Sequence, residues 1–270
     1  MTFLPPARPR PTVSYANCTV AEIDGYRPLH LDLHIPIGDG PFPVVLWLHG
    51  GGWRFGSRVG LPDTIEPFGF YERLLGRGYA VADVDYRLAA EAQYPAQLYD
   101  VQAAIRWLRH FAGDLRLDPA RFATLGESAG GHLAALAGLL GTGDTAIQAV
   151  VNWYGAADLN FPGLAHDDPG SSPAILLGGP TAGRPEFARW ASPVHHVHPG
   201  APPFLSVHGT ADEVVAYEQS VRLTEALRAN GVPAGLHPVP DAGHCFAGYP
   251  DVGALIDASI DFLDGVLKPV

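Results

Sequence analysis

A serine, a histidine and a carboxylate, far apart along the chain, carry the chemistry that this sequence can support. Ser128 lies in Leu125-Gly126-Glu127-Ser128-Ala129-Gly130-Gly131, a G-x-S-x-G between an apolar run that reads as a strand and one that reads as a helix. On such a sharp strand-to-helix turn the hydroxyl is exposed, and the flanking glycines let strand and helix pass close to it. The chain has 32 glycines, so the motif alone is weak and its context decides the reading. A hydroxyl is a poor nucleophile until a base removes its proton, and the base needs an orienting carboxylate. On this kind of turn the partners follow in the order Ser, then Asp or Glu, then His. His244, in Asp241-Ala242-Gly243-His244-Cys245-Phe246, follows a strand-like segment and precedes the last helix, and is the expected base. Asp212, in His208-Gly209-Thr210-Ala211-Asp212-Glu213, follows the strand Phe204 to Val207 and is the expected acid. Glu213 is the alternative one residue on, while Asp158 and Asp241 read as turn residues that cap their own backbone.

Acyl transfer passes through a tetrahedral intermediate with a negative oxygen, and fixed backbone N–H groups stabilise it by about 2.7–4 kcal/mol each. His49-Gly50-Gly51-Gly52-Trp53 directly follows the strand Val44 to Leu48, where such donors belong. Gly51, Gly52 and Ala129, the residue after the serine, are the expected donors. Trp53, Trp153, Tyr154 and Phe246 flank these loops and are candidates for an acyl or alcohol pocket, with core packing as the other reading.

Other polar clusters read as structural. His195-His196-Val197-His198 lies in a Pro-rich stretch without acids at ligand spacing, so no metal site is expected. Cys245 beside His244 reads as packing, His132 as a core residue, and Asp85-Tyr86-Arg87-Leu88 as a hydrogen-bonded strand end.

The elements that must position these residues alternate between apolar runs and helical periods from Pro41 onward. Strands are predicted at Val44 to Leu48, Tyr79 to Val84, Phe122 to Leu125, Ala149 to Trp153 and Phe204 to Val207. Leu98, Val101, Ile105 and Leu108 recur at helical spacing; Leu133 to Leu140 is apolar all round; and Val252 to Leu267 repeats the helical period. This is the signature of an α/β protein with a mostly parallel sheet covered on both faces. Leu29 to Ile35 alternates and predicts antiparallel strands at one edge. Residues 155–203, rich in Gly, Pro, Asp and His, read as an irregular insertion with short helical pieces such as Glu186 to Trp190, placed over the substrate site. A 270-residue chain that is 47% hydrophobic and 17% charged fits one compact domain over residues 1–270.

A net charge of −11, with no run of Lys or Arg, argues against nucleic acid and favours neutral small molecules. Cys18 and Cys245 are expected to be free thiols. No unbroken apolar segment reads as a leader or a membrane span, so a soluble cytoplasmic protein is expected.

Together His49-Gly-Gly-Gly-Trp53, Asp85-Tyr-Arg-Leu88, Gly126-Glu-Ser-Ala-Gly-Gly131, His208-Gly-Thr-Ala-Asp212 and Ala242-Gly-His244 resemble the hormone-sensitive-lipase-like branch of α/β hydrolases. Within it the chain is most similar to the bifunctional feruloyl and acetyl xylan esterase family, with kynurenine formamidases as neighbours. The likeness runs from about Tyr15 to Leu267. It implies an α/β-hydrolase fold, Ser128 as nucleophile, Asp212 as acid, His244 as base, and Gly51, Gly52 and Ala129 as oxyanion donors. The implied activity is hydrolysis of a short-chain, acetyl or aryl ester through an acyl-enzyme, without a cofactor. An arylformamidase or amidase with the same three residues is the alternative, and a non-catalytic binding protein is disfavoured by His244. The chain departs from the family in lacking room for a large helical cap before the glycine loop and in placing Cys245 where a small residue is usual.

Overall fold

The computed structural model describes residues 13–162 and 168–268. Strands β1 (Val13–Ala21), β2 (Leu29–Ile35), β3 (Phe42–Leu48), β4 (Ala80–Val84), β5 (Leu117–Glu127), β6 (Ala149–Trp153), β7 (Phe204–Gly209) and β8 (Ala234–Val239) form one sheet in the order β1-β2-β4-β3-β5-β6-β7-β8. β1 and β2, and β2 and β4, pair antiparallel, and every other pairing is parallel. The helices are α1 (Phe70–Gly76), α2 (Ala96–His110), α3 (Ala129–Leu140), α4 (Ser172–Leu177), α5 (Pro185–Trp190), α6 (Glu218–Ala229) and α7 (Val252–Leu267).

The central run Val44 to Leu48 is buried on both sides because successive side chains of a strand point to opposite faces. Val44, Leu46 and Leu48 join one core with Val101 and Ile105 of α2 and Leu133 and Leu136 of α3. Val45 and Trp47 join the other, with Leu74 of α1 and Ile256, Ile260 and Leu263 of α7. α3 is buried from Ala129 to Leu139, as its uniformly apolar sequence requires of a helix laid against a sheet.

The two edge strands are the ones whose bounds the sequence does not mark. β1 carries register shifts at Tyr15/Cys18 and Thr19/Ala21, and Asn17 has φ 58°, so no clean alternation survives in it. β8 contains Gly235 and Pro238 and is only partly buried, as an edge strand can be. The stretch 155–203 is more ordered than its composition suggests. Within it α4 starts at Ser171, whose hydroxyl accepts the Ala174 N–H, and stops at Gly178 with φ 72°. Residues 163–167 of that stretch lie outside the described residues.

The parallel strands all deliver their carboxyl ends to one edge, and the approach there is close. A Cβ on Gly130 would stand 1.9 Å from the Leu48 carbonyl oxygen, and one on Gly126 2.3 Å from the Gly130 carbonyl oxygen. Gly130→Ala is therefore expected to destabilise by at least about 1–3 kcal/mol, the scale of overpacking. Gly265→Ala, on an exposed turn of α7 with open space around its Cβ, is expected to stabilise by about 1 kcal/mol. Thermal melts of both variants beside the wild type check the pair.

Candidate active site

β5 ends at Glu127, α3 begins at Ala129, and Ser128 between them has φ 52° and ψ −116°. A positive φ is strained for a residue with a side chain, and it persists where neighbours over-determine it. Here the Ser128 N–H donates to the Trp153 carbonyl at 2.9 Å, while the Ser128 carbonyl accepts the His132 N–H at 3.0 Å. The turn leaves Ser128 Oγ 3.0 Å from His244 Nε2, and His244 Nδ1 lies 2.7 Å from Asp212 Oδ2. Because the carboxylate can only accept, Nδ1 carries the proton and Nε2 is left to accept the serine O–H.

Asp212 follows β7 and His244 follows β8, so adjacent strand ends supply both. Asp212 Oδ1 accepts the N–H groups of Val214 at 2.8 Å and Val215 at 2.9 Å. Burial alone would raise this carboxyl. Hydrogen bonds from His208, His244 and the Val215 N–H outweigh it and hold the group well below the usual carboxylate range. Glu213 points into solvent. The Tyr154 ring packs edge-on to the His244 ring at 5.0 Å.

Gly51 and Gly52 follow β3 with φ 102° and 60°, conformations that a residue without a Cβ adopts freely. Together with Ala129, whose N–H at the first position of α3 has no partner within the helix, they line the cavity that contains Ser128 and His244. Side chains around the turn fix this loop. Glu127 Oε1 accepts the Gly50 N–H at 2.6 Å. Burial pushes the Glu127 carboxyl up, and the Gly50 N–H and His244 offset this only in part. Trp53, at φ 59°, donates its indole N–H to His132 Nδ1 at 3.2 Å, which leaves Nε2 of that ring to donate to the Ala191 carbonyl at 2.7 Å. Burial lowers His132 to about 4, so the ring stays neutral in this bridge. Asp85 accepts both the backbone and the guanidinium of Arg58, Tyr86 donates to the His49 carbonyl at 2.7 Å, and Arg87 forks onto Asp100.

The cavity, about 510 Å³, is walled chiefly by Trp53, Phe55, Ala156, Pro173, Val214 and Val215. Of the pocket candidates, Trp53 is among its walls. Trp153, Tyr154 and Phe246 are instead fully buried and pack on one another below the site, because each belongs to a strand end or turn whose side chain faces the α7 layer. Phe55 and Val214, which no periodicity marks, are 64% and 59% exposed at the cavity. Cys245 also lines it, with its thiol pushed up to about 12 by burial and then by Glu127. His195, His196 and His198 each face a different partner: Asp158, the Trp190 carbonyl and the Leu139 carbonyl. Among the described residues no group of three or more His, Cys, Asp or Glu side chains is arranged to hold a metal ion, and no helix is long and apolar enough to cross a membrane.

Residues 31–227 match the BD-FAE family. The chain belongs to that family. It is 34% identical over 232 residues to esterase LipC of Mycobacterium tuberculosis, covering 76% of this chain and 53% of LipC. It is 35% identical over 160 residues to carboxylesterase NlhH of the same organism, covering 58% of this chain and 46% of NlhH. The chain thus spans about half the length of these curated relatives. Among solved structures it is similar to a truncated carbohydrate esterase from gut microbiota, with TM-score 0.78, 27% identity, and coverage of 93% of this chain and 95% of that one. A thermophilic esterase, Est2 of Thermogutta terrifontis, superposes with TM-score 0.75 at 26% identity over 95% of this chain and 94% of that one. The mostly parallel sheet with helices on both faces is the α/β-hydrolase fold of these neighbours.

Glu127→Ala should leave the buried Gly50 N–H without its acceptor, a loss worth about 1–3 kcal/mol, which lowers Tm by about 2–10 °C. The loosened glycine loop should also slow covalent labelling of Ser128 by a fluorophosphonate. Glu127→Gln keeps an acceptor and should restore most of both; calorimetry and labelling rates measure the two effects.

Proposed function

We propose that this chain is a serine carboxylesterase, with Ser128 as nucleophile, His244 as general base and then acid, and Asp212 as the carboxylate that orients it. The observation that carries the reading is the continuous hydrogen-bonded line from Ser128 Oγ through His244 to Asp212, beside a cavity edged by Gly51, Gly52 and Ala129. In the first half-reaction His244 Nε2 takes the hydroxyl proton as Ser128 Oγ bonds to the ester carbon. Backbone N–H groups of Gly51, Gly52 and Ala129 receive the negative oxygen. The C–O bond to the alcohol breaks as His244 returns the proton to the leaving oxygen. Water then repeats the sequence on the acyl-enzyme and releases the acid. No cofactor enters either half.

The substrates proposed are neutral esters of short acids, acetyl above all, with aryl or sugar alcohols. Support comes from the carbohydrate esterase among the structural neighbours and from an arylesterase of Saccharolobus solfataricus, 35% identical over 140 residues. The apolar walls come from the segment after the glycine loop, from Ala156 and Pro173 of the 155–203 stretch and from the loop after Asp212. An added methylene gains about 0.8 kcal/mol only where such walls enclose it.

Ser128→Ala should abolish turnover of p-nitrophenyl acetate while circular dichroism stays native, since no other group can form the acyl-enzyme; undiminished turnover in the purified variant would remove the assignment. Asp212→Asn should cost about 10⁴ in kcat and Glu213→Gln far less. A series of p-nitrophenyl esters should peak between acetate and butyrate and fall beyond about six to eight carbons. A kcat/KM still climbing at decanoate contradicts the short-acid reading, and faster cleavage of N-formyl aryl amides than of any ester would replace it.

A further inference from the structure

His208 stands at the end of β7 with its side chain wholly buried, and the reaction as written leaves it without a task. Its Nε2 is 2.8 Å from the Val215 carbonyl oxygen and 3.3 Å from Asp212 Oδ2, the same oxygen that receives His244 Nδ1 at 2.7 Å. Both groups facing Nε2 can only accept, so this nitrogen carries a proton and shares it between them. Nδ1 lies 2.7 Å from the hydroxyl of Ser220, a buried residue of α6 that can donate to it. The rings of Tyr217 and Tyr154 pack edge-on to the His208 ring at 5.8 and 6.5 Å.

We infer that His208 is a positioning residue for the reaction: its Nε2–H pins Asp212 Oδ2 and the Val215 carbonyl together, and Ser220 holds the ring in the tautomer that can do so. The inference rests on the reading of Ser128, His244 and Asp212 as the reacting line. Its content is that Asp212 is fixed from two sides. The Val214 and Val215 N–H groups hold Oδ1, and His208 holds the oxygen on which His244 turns. Because Val214 and Val215 also line the cavity, the same ring ties the cavity wall to the carboxylate.

The shared N–H also withdraws charge from Asp212. Without it the carboxylate attracts the His244 imidazolium more strongly, so the base stays protonated to higher pH. The other charged or titratable groups facing the pair are Glu127 at the end of β5, Tyr154 after β6, Tyr217 before α6 and Cys245 beside the base. None of them is itself changed by a His208 substitution.

The test is steady-state hydrolysis of p-nitrophenyl acetate from pH 5 to 9 by wild type, Ser128→Ala, His208→Leu, His208→Gln and Ser220→Ala, with thermal melts of each. His208→Leu fills the space without a donor. It should lower kcat about ten- to hundredfold, the effect of losing a hydrogen bond to a charged group, with KM little changed and the acid limb of kcat/KM displaced to higher pH. His208→Gln restores an N–H donor and should recover most of kcat and the position of the limb. Ser220→Ala, which removes only the tautomer's partner, should displace the limb in the same direction by less, and it reports on the proposal even if His208→Leu does not fold. A folded His208→Leu with the wild-type limb and kcat overturns the proposal, as does a limb equally displaced in His208→Gln. If the only change is a lower Tm, the role is structural and the proposal fails. Activity that is absent from wild type or survives in Ser128→Ala overturns the underlying reading instead, and this proposal with it.

Discussion

The contact on which the site depends is the one between the end of β3 and the start of α3. Gly130 lies so close to the Leu48 and His49 carbonyls that no side chain fits, and Glu127, one residue before the turn, grips the N–H of Gly50 across the same gap. Two neighbouring parallel strands therefore end in turns locked to one another. Each turn contains residues with positive φ, among them Gly51, Gly52, Trp53 and Ser128. Strain of about 1–3 kcal/mol at a residue such as Ser128 is tolerable only because the sheet beneath is buried on both faces. The geometry at the serine is thus a consequence of packing at glycines that themselves do no chemistry.

Electrostatics follow the same division between supported and unsupported groups. Asp212, with donors on both oxygens, is held ionised in spite of burial, whereas Glu127, with one backbone donor, is pushed upward by it. His132 stays neutral because burial outweighs the Ala191 carbonyl, which by itself would favour its charge. Groups of the same chemical type thus behave differently within one small region, and the difference lies in how many N–H groups each receives.

Much of this was legible in the chain. Val44 to Leu48 and Leu133 to Leu140 announce a sheet covered on both faces by length and uniform apolarity alone, and the glycines around Ser128 announce a close approach. Asp212 stood out because it comes directly after a strand. The edge strands could not be bounded: a strand-like segment before His244 was visible, but bulges in β1 and Gly235 and Pro238 in β8 erase the two-residue period that marks a strand's extent. Large aromatic residues misled in the other direction. Phe246 lies two residues from His244, and Trp153 and Tyr154 stand at the end of the strand beside β5, yet their side chains pack with the α7 layer, which position along the chain cannot reveal. Phe55, Val214 and His208 sit in loops or at a strand end and are held by neighbours only a few residues away, in turn geometry that no hydrophobic period encodes.

The hydrogen-bonded line also joins segments that lie far apart in the sequence. Ser128 and His244 are 116 residues apart, His244 and Asp212 32, and the Glu127 grip on Gly50 bridges 77. β8, which delivers the histidine, is an edge strand of the sheet. Bringing such distant segments together makes non-local topologies slow to form. Ser128 and the glycine loop sit at the centre of the sheet, whereas His244 comes from the loop after its edge strand. Opening of that edge alone therefore parts the imidazole from the hydroxyl while the strained turn at the centre stays paired.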